Sequence, residues 1–279
     1  MKLHTIPTGY FKLDGGAMFG VVPKTLWQKL NPPDANNLCT WAMRCLLIED
    51  GSQLILIDCG IGNKQSEKFF SYYEPHGDDT LHKSLQALGY DTGDITDVIL
   101  THLHFDHCGG AVSRQGDKLI PTFRNATYWT HPKHWEWATH PNARERASFL
   151  PENIMPLWES GQLKFAEAGS REVHPMITLH TVSGHTESMF IPHIQYKDYT
   201  VVYCADLIPS MAHLPLPYVM AYDVRPLLTL DEKQELLASA LKGNYVLFFE
   251  HDRTVECCTV QQTERGIREK ESFKLSSLG

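Results

Sequence analysis

Thr101-His102-Leu103-His104-Phe105-Asp106-His107-Cys108-Gly109-Gly110 decides how this 279-residue chain is read. Three imidazoles and a carboxylate fall within six positions. The stretch follows an apolar run, Asp97-Val98-Ile99-Leu100, which predicts a buried strand. Alternate side chains of a strand point the same way, so His102 and His104 can face one point. Gly109-Gly110 marks the loop into which Asp106 and His107 fall, and on a loop adjacent side chains can share a face. The pattern makes sense for two metal ions side by side, with His102 and His104 on one and Asp106 and His107 on the other.

The rest of the chain sets bounds around that stretch. Its composition, 42% hydrophobic and 21% charged, is that of a globular protein. A net charge of −8 disfavours nucleic acid, because phosphates need a basic face. No segment has the length of a membrane helix, and Met1–Tyr10 lacks the apolar core of a signal peptide. The seven cysteines are scattered without a Cys-x-x-Cys, which predicts free thiols and a cytoplasmic setting.

Taken in order, the first third predicts strands at Lys2–Ile6, Ala17–Val22, Thr40–Glu49 and Gln53–Asp58, the last two joined at Asp50-Gly51. Helices are expected over Asn63–Tyr72 and Thr80–Leu88, then the strand Ile95–Leu100. The middle predicts a strand at Ala126–Thr130 and helices at Pro132–Ala138, Ala143–Leu150 and Pro151–Ser160. It holds Trp129, Trp135, Trp137, Phe149 and Trp158, either core packing or, for one or two of them, the wall of an apolar pocket. His131, His134 and His140 there read as structural or surface residues. The second half predicts strands at Ile177–Val182, Ser188–Gln195, Tyr199–Cys204 and Tyr245–Phe249. It adds a helix at Asp231–Leu241, capped by Thr229 or Asp231. No linker interrupts the chain, so one domain over residues 1–279 is expected, with two sheets face to face and helices outside.

Three strand ends in the second half carry metal-competent residues: Ser183-Gly184-His185-Thr186, Cys204-Ala205-Asp206 and Phe249-Glu250-His251-Asp252. With them, the His102–His107 run resembles the His-x-His-x-Asp-His signature of the metallo-β-lactamase-fold hydrolases. The resemblance implies an α/β fold, the αββα four-layer sandwich of two mixed sheets. It implies His102, His104 and His185 on one metal, Asp106, His107 and His251 on the other, and Asp206 bridging both. It places Asp58, in Asp58-Cys59-Gly60, as a support for the site rather than a ligand. Zinc is the default, with manganese, iron or cobalt compatible with the same donors.

The chemistry that follows is water activation. A metal-bridging hydroxide, available near pH 7, would attack a carbonyl or phosphoryl centre, with Asp106 as the proton carrier. The run through Gly110, the chain length and His251-Asp252 are most similar to N-acyl-homoserine lactone lactonases and methyl-parathion-type hydrolases. That branch implies a small ester or lactone substrate; a phosphotriesterase or a non-catalytic binding module on the same fold are the alternatives. Two departures bear on specificity. Gly184-His185-Thr186-Glu187-Ser188-Met189 replaces the family's Gly-His-Thr-Pro-Gly-His. Pro209 stands where lactonases place a tyrosine three residues after the bridging aspartate. His213 or Tyr222 is expected to supply the missing polar contact. A homodimer contact through Ile6–Met18, or through the tail after Arg265, stays open.

Overall fold

The computed structural model describes residues 1–278. Its central fact is a strand pair buried on both faces. In β2 (Leu38–Asp50) and β3 (Gln53–Ile57), alternate residues go to opposite cores. Leu46, Ile48, Ile55 and Ile57 pack inward against the second sheet. Cys45, Leu47, Leu54 and Leu56 pack outward against helices. This explains why Leu54–Ile57 is apolar throughout rather than alternating.

The first sheet is built by β1 (Lys2–Asp14), β2, β3, β4 (Asp97–Ile99), β7 (Thr127–Thr130) and β8 (Leu163–Phe165), in that spatial order. A small hairpin, β5 (Val112–Gln115) and β6 (Lys118–Pro121), lies beside it. The second sheet has β9 (Ile177–Val182), β10 (Met189–Tyr196), β11 (Tyr199–Tyr203), β12 (Tyr245–Phe248), β13 (Cys257–Thr263) and β14 (Gly266–Phe273), with β9 and β14 at its edges. Both sheets are mixed: β3, β4, β7 and β8 run parallel, as do β11 and β12, while the remaining pairs are antiparallel. Their inner faces share one core, where Ile57 and Ile99 share a cluster with Val202, Tyr203 and Phe248.

Helices cover the outside. Those that bear on the site are α1 (Gly15–Phe19), α2 (Lys24–Trp27), α3 (Glu67–Tyr73), α4 (Leu81–Ala87), α5 (Phe105–Cys108), α6 (Pro132–Thr139), α7 (Pro151–Glu159) and α8 (Pro226–Lys242). Leu85 of α4 and Ile154 and Leu157 of α7 cover the first sheet; Leu236 and Leu237 of α8 cover the second. The four-layer sandwich is therefore the expected one.

Several local expectations are corrected. Ala17–Val22 is the helix α1 and a turn, not a strand. The Asp14 carboxylate accepts the Ala17 amide at 2.8 Å and caps the helix, and Met18 and Phe19 bury against Trp27 and Trp41. Ala143–Leu150 forms turns, because Asn142 Oδ1 accepts the Arg144 and Glu145 amides and closes an Asx-turn. The helix over Asn63–Tyr72 starts later, at the Ser66 cap. Neither Thr229 nor Asp231 caps α8; Pro226 occupies its first turn, where its fixed φ suits the helix and its missing N–H costs nothing. The segment from Arg265, read as a tail, is the edge strand β14, whose exposed Glu269, Lys270 and Glu271 hid its strand character.

One buried cation ties the second half to the first. Arg44 of β2 is 7% exposed and donates to the carbonyls of Phe249 at 2.6 Å and Asp252 at 2.8 Å. Its backbone amide donates to Glu250 O at 3.1 Å. Arg44→Met leaves those buried carbonyls without a donor. It should lower unfolding free energy by about 2–4 kcal/mol in chemical denaturation, whereas a loss below about 0.5 kcal/mol would show that the clamp is dispensable.

Candidate metal centre

Every strand that points at the site ends just short of it. β4 stops at Ile99, so His102 and His104 stand on the extended segment beyond the strand, not on it. Asp106 and His107 lie on the single turn α5, not on an open loop. That turn is what lets two adjacent residues look toward one region. His185 sits between β9 and β10, Asp206 follows β11, and His251 follows β12. Gly110 makes the crowding near the motif feasible: its amide donates to Gly60 O at 2.8 Å, and a Cβ there would run into the Cys59 carbonyl.

The structure brings all seven side chains together. Asp206 Oδ2 lies 3.0 Å from His185 Nε2, 3.5 Å from His107 Nε2 and 3.7 Å from His102 Nε2. Its Oδ1 lies 3.2 Å from His251 Nε2. Asp106 Oδ2 is 3.7 Å from His107 Nε2 and 3.8 Å from His251 Nε2. His104 turns its Nδ1 inward, 3.2 Å from His185 Nε2. The donors thus fall into two groups, His102, His104, His185 and Asp206, and Asp106, His107 and His251, each within 4.8 Å.

This arrangement fits divalent cations. His102 Nε2 and Asp206 Oδ1 are buried without a hydrogen-bond partner. His107 Nε2 and His251 Nε2 face each other at 3.2 Å. Buried polar atoms left in this state are costly unless a further group satisfies them. Imidazole nitrogens and carboxylate oxygens around a common point are the donors that borderline divalent metals take.

A second ring of groups orients His107, His185, His251 and His104. Asp58, in the left-handed region at φ 58°, accepts from the Thr101 amide at 2.8 Å and the Thr101 hydroxyl at 2.6 Å. Its Oδ2 stands 3.1 Å from His107 Nδ1, which also lies 3.0 Å from Glu250 Oε2. His185 Nδ1 is 2.8 Å from Asp223 Oδ1, and His251 Nδ1 is 2.7 Å from Ala42 O. Glu145 lies 3.6 Å from His104 Nε2 and accepts from Thr186 Oγ1, Trp137 Nε1 and Asn142 Nδ2. His134 Nε2 accepts the Leu103 amide at 2.8 Å and so holds the motif from behind, while burial pushes this imidazole down to about 3.

Burial shapes the charges. It pushes His102 well below the ordinary imidazole range, helped by His107 and His104. It opposes ionisation of Asp206, but His185, His107 and His251 outweigh it and hold that carboxyl well below its usual range. Glu250, wholly buried and facing Asp58 across His107, is pushed up to about 7.

The centre opens into a cavity of about 290 Å³. Leu13, Met18, Tyr73, Phe105 and Met220 make its apolar wall; Asp106, His251 and Asp206 lie on its floor. Tyr222 lines it, and burial holds the phenol above its ordinary range. His213 does not reach it. That ring is stacked on Phe19 at 4.7 Å, with Nδ1 2.7 Å from Ser210 Oγ and Nε2 2.8 Å from Met18 O, so both nitrogens are spent on the fold. Trp135 and Trp158 stack on each other away from the cavity, with Trp158 half exposed on the surface, so neither forms its wall.

The family model of the metallo-β-lactamase superfamily matches residues 44–251. The chain belongs to this superfamily. An N-acyl homoserine lactonase of Bacillus thuringiensis is 26% identical over 264 residues, covering 90% of this chain and 93% of that protein. A solved structure described as a probable metal-dependent hydrolase from Staphylococcus aureus superposes with a TM-score of 0.89 at 28% identity, covering 98% and 96%. A dizinc quorum-quenching lactonase solved with its product shares the fold, with a TM-score of 0.79 at 22% identity over 98% and 95%.

Within this superfamily member, sequence reading overlooked Glu145, Asp223 and Glu250. Glu250 was adjacent to His251, and a buried acid beside a metal-competent histidine is a usable signal. Glu145 and Asp223 carry no local signature, because turns bring them to the site from elsewhere. Removing the orienting carboxylate from His185 should weaken metal retention. Asp223→Ala is expected to lose about 10-fold to 100-fold in metal affinity by chelator competition, with unchanged circular dichroism. Unaltered affinity would mean that His185 is held without it.

Proposed function

We propose that the chain is a dinuclear metal-dependent hydrolase of small lactones or esters, with His102, His104 and His185 on one cation, Asp106, His107 and His251 on the other, and Asp206 shared between them. The observation that carries this reading is the pairing of two donor groups around one carboxylate, at the floor of a cavity with apolar walls. The lactonase relative and the probable metal-dependent hydrolase support it. Zinc is the metal proposed, since imidazole and carboxylate donors suit it and hydrolysis needs no redox change.

Cations bound there would supply Lewis acidity and bring the pKa of water to about 7. The protein's own share is positioning and proton transfer. Asp106 reaches the cavity floor and can take a proton at a carboxylate oxygen, then return it to the departing alkoxide. The wall of Leu13, Met18 and Phe105 holds the hydrocarbon part of the acyl group and excludes water from the reacting carbonyl.

Tyr222 replaces the tyrosine that Pro209 displaces. Pro209 serves the fold instead, its carbonyl accepting the His251 amide at 3.0 Å. The Tyr222 phenol stays protonated at neutral pH and donates to the carbonyl oxygen as charge builds there. Arg144 donates to Ala221 O and so fixes the turn that carries the phenol.

Metal-loaded protein assayed on a panel of lactones, simple esters and an aryl phosphotriester should turn over a lactone or ester with the highest kcat/KM. In Tyr222→Phe, kcat should fall by roughly 10-fold to 100-fold with KM little changed. A phosphotriester as the best substrate would overturn the carbonyl assignment, and an unaltered kcat would remove Tyr222 from it.

A further inference from the structure

A second cavity, of about 370 Å³, opens elsewhere on the same loops and shares no lining residue with the first. It is bounded by Ser210–Ala212, which follow Asp206, by Asp252–Thr254, which follow His251, and by the β13–β14 hairpin. We propose that it is a binding site for an amphiphilic organic carboxylate, a molecule with a hydrocarbon body and one anionic end.

The charge argument comes first. Three arginines, Arg253, Arg265 and Arg268, line this cavity, the last two at its border with a smaller neighbouring one. None pairs with an acidic side chain among the described residues; Arg268 donates only to the carbonyl of Ile267, at 2.6 Å. The facing carboxylates are Asp252 and Glu269. Asp252 is already engaged, its Oδ1 accepting the amides of Thr254 at 2.9 Å and Val255 at 2.7 Å and its Oδ2 that of Met211 at 3.0 Å. Its charge persists, so two carboxylates stand against three cations and the cavity keeps one net positive charge. Arginine's planar fork matches a carboxylate with two parallel hydrogen bonds.

The interior supplies a second, independent observation. Trp41 and Asn31 line the cavity and are 0% and 5% exposed. Trp41 Nε1 and Asn31 Oδ1 are both buried with no hydrogen-bond partner. A donor and an acceptor left unpaired at one cavity are costly unless a ligand group or water reaches them. Around them the wall is apolar: Leu30, Met211, Ala212, Pro215 and Tyr218. The site therefore offers cations and a hydrocarbon wall, with an unpaired donor and acceptor buried behind that wall. Free inorganic phosphate would use only the first.

Isothermal titration of the metal-loaded protein with octanoate, acetate and inorganic phosphate tests this. Octanoate should bind saturably and more tightly than either small anion. The double variant Arg265→Ala/Arg268→Ala should weaken it at least about tenfold, with metal content and hydrolysis unchanged. Trp41→Phe, which removes the indole N–H and leaves a smaller aromatic ring, should weaken it by about threefold or more. Octanoate binding that survives the double variant would place it elsewhere, at the metal centre included, and overturn the proposal. Phosphate binding as tightly as octanoate, or no saturable binding of octanoate, would overturn it as well.

Discussion

The Asp206 carboxylate stands within 3.0–3.7 Å of four imidazole nitrogens, and those imidazoles come from both sheets. Nothing local holds such a set. His102 and His107 arrive from the first sheet, and His185 and His251 from the second. The site exists only when the sandwich is closed. The core between the sheets does this, together with backbone bonds from the Phe190 amide to Thr101 O at 2.9 Å, the Arg44 amide to Glu250 O at 3.1 Å and the Ala42 amide to His251 O at 3.2 Å.

The constraint runs outward from there. Residues that cluster cations and carboxylates in a dry interior must each be oriented, or the cost of burial is not recovered. Asp58 and Glu250 do this for His107, Asp223 for His185, Glu145 for His104 and the Ala42 carbonyl for His251. Asp58 accepts a left-handed backbone to do so. Arg44 holds the carbonyls around His251, and His134 holds the amide between His102 and His104.

Much of this was legible in the residues. The His102–His107 run, Asp58 and the strand-end placement of His185, Asp206 and His251 all follow from spacing together with family resemblance, because short motifs next to apolar strands survive without tertiary information. What failed did so for identifiable reasons. Asp14 capping and the Trp27–Trp41 cluster overrode the strand pattern of Ala17–Val22. Charged residues on the outer edge disguised β14. His213 looked like a pocket residue from its distance along the chain to Asp206. A three-residue turn buried it against Phe19 instead. Tyr222, the other candidate named from the sequence, does line the cavity.

The central claim is that two cations share Asp206. Its most direct test is an anomalous-scattering crystal structure of metal-loaded protein, paired with metal analysis and turnover of the same preparation. Two metal peaks roughly 3.5–4 Å apart are expected, with His102, His104 and His185 around one and Asp106, His107 and His251 around the other, and turnover that vanishes on chelation. A single peak, or full turnover by metal-free protein, would contradict it.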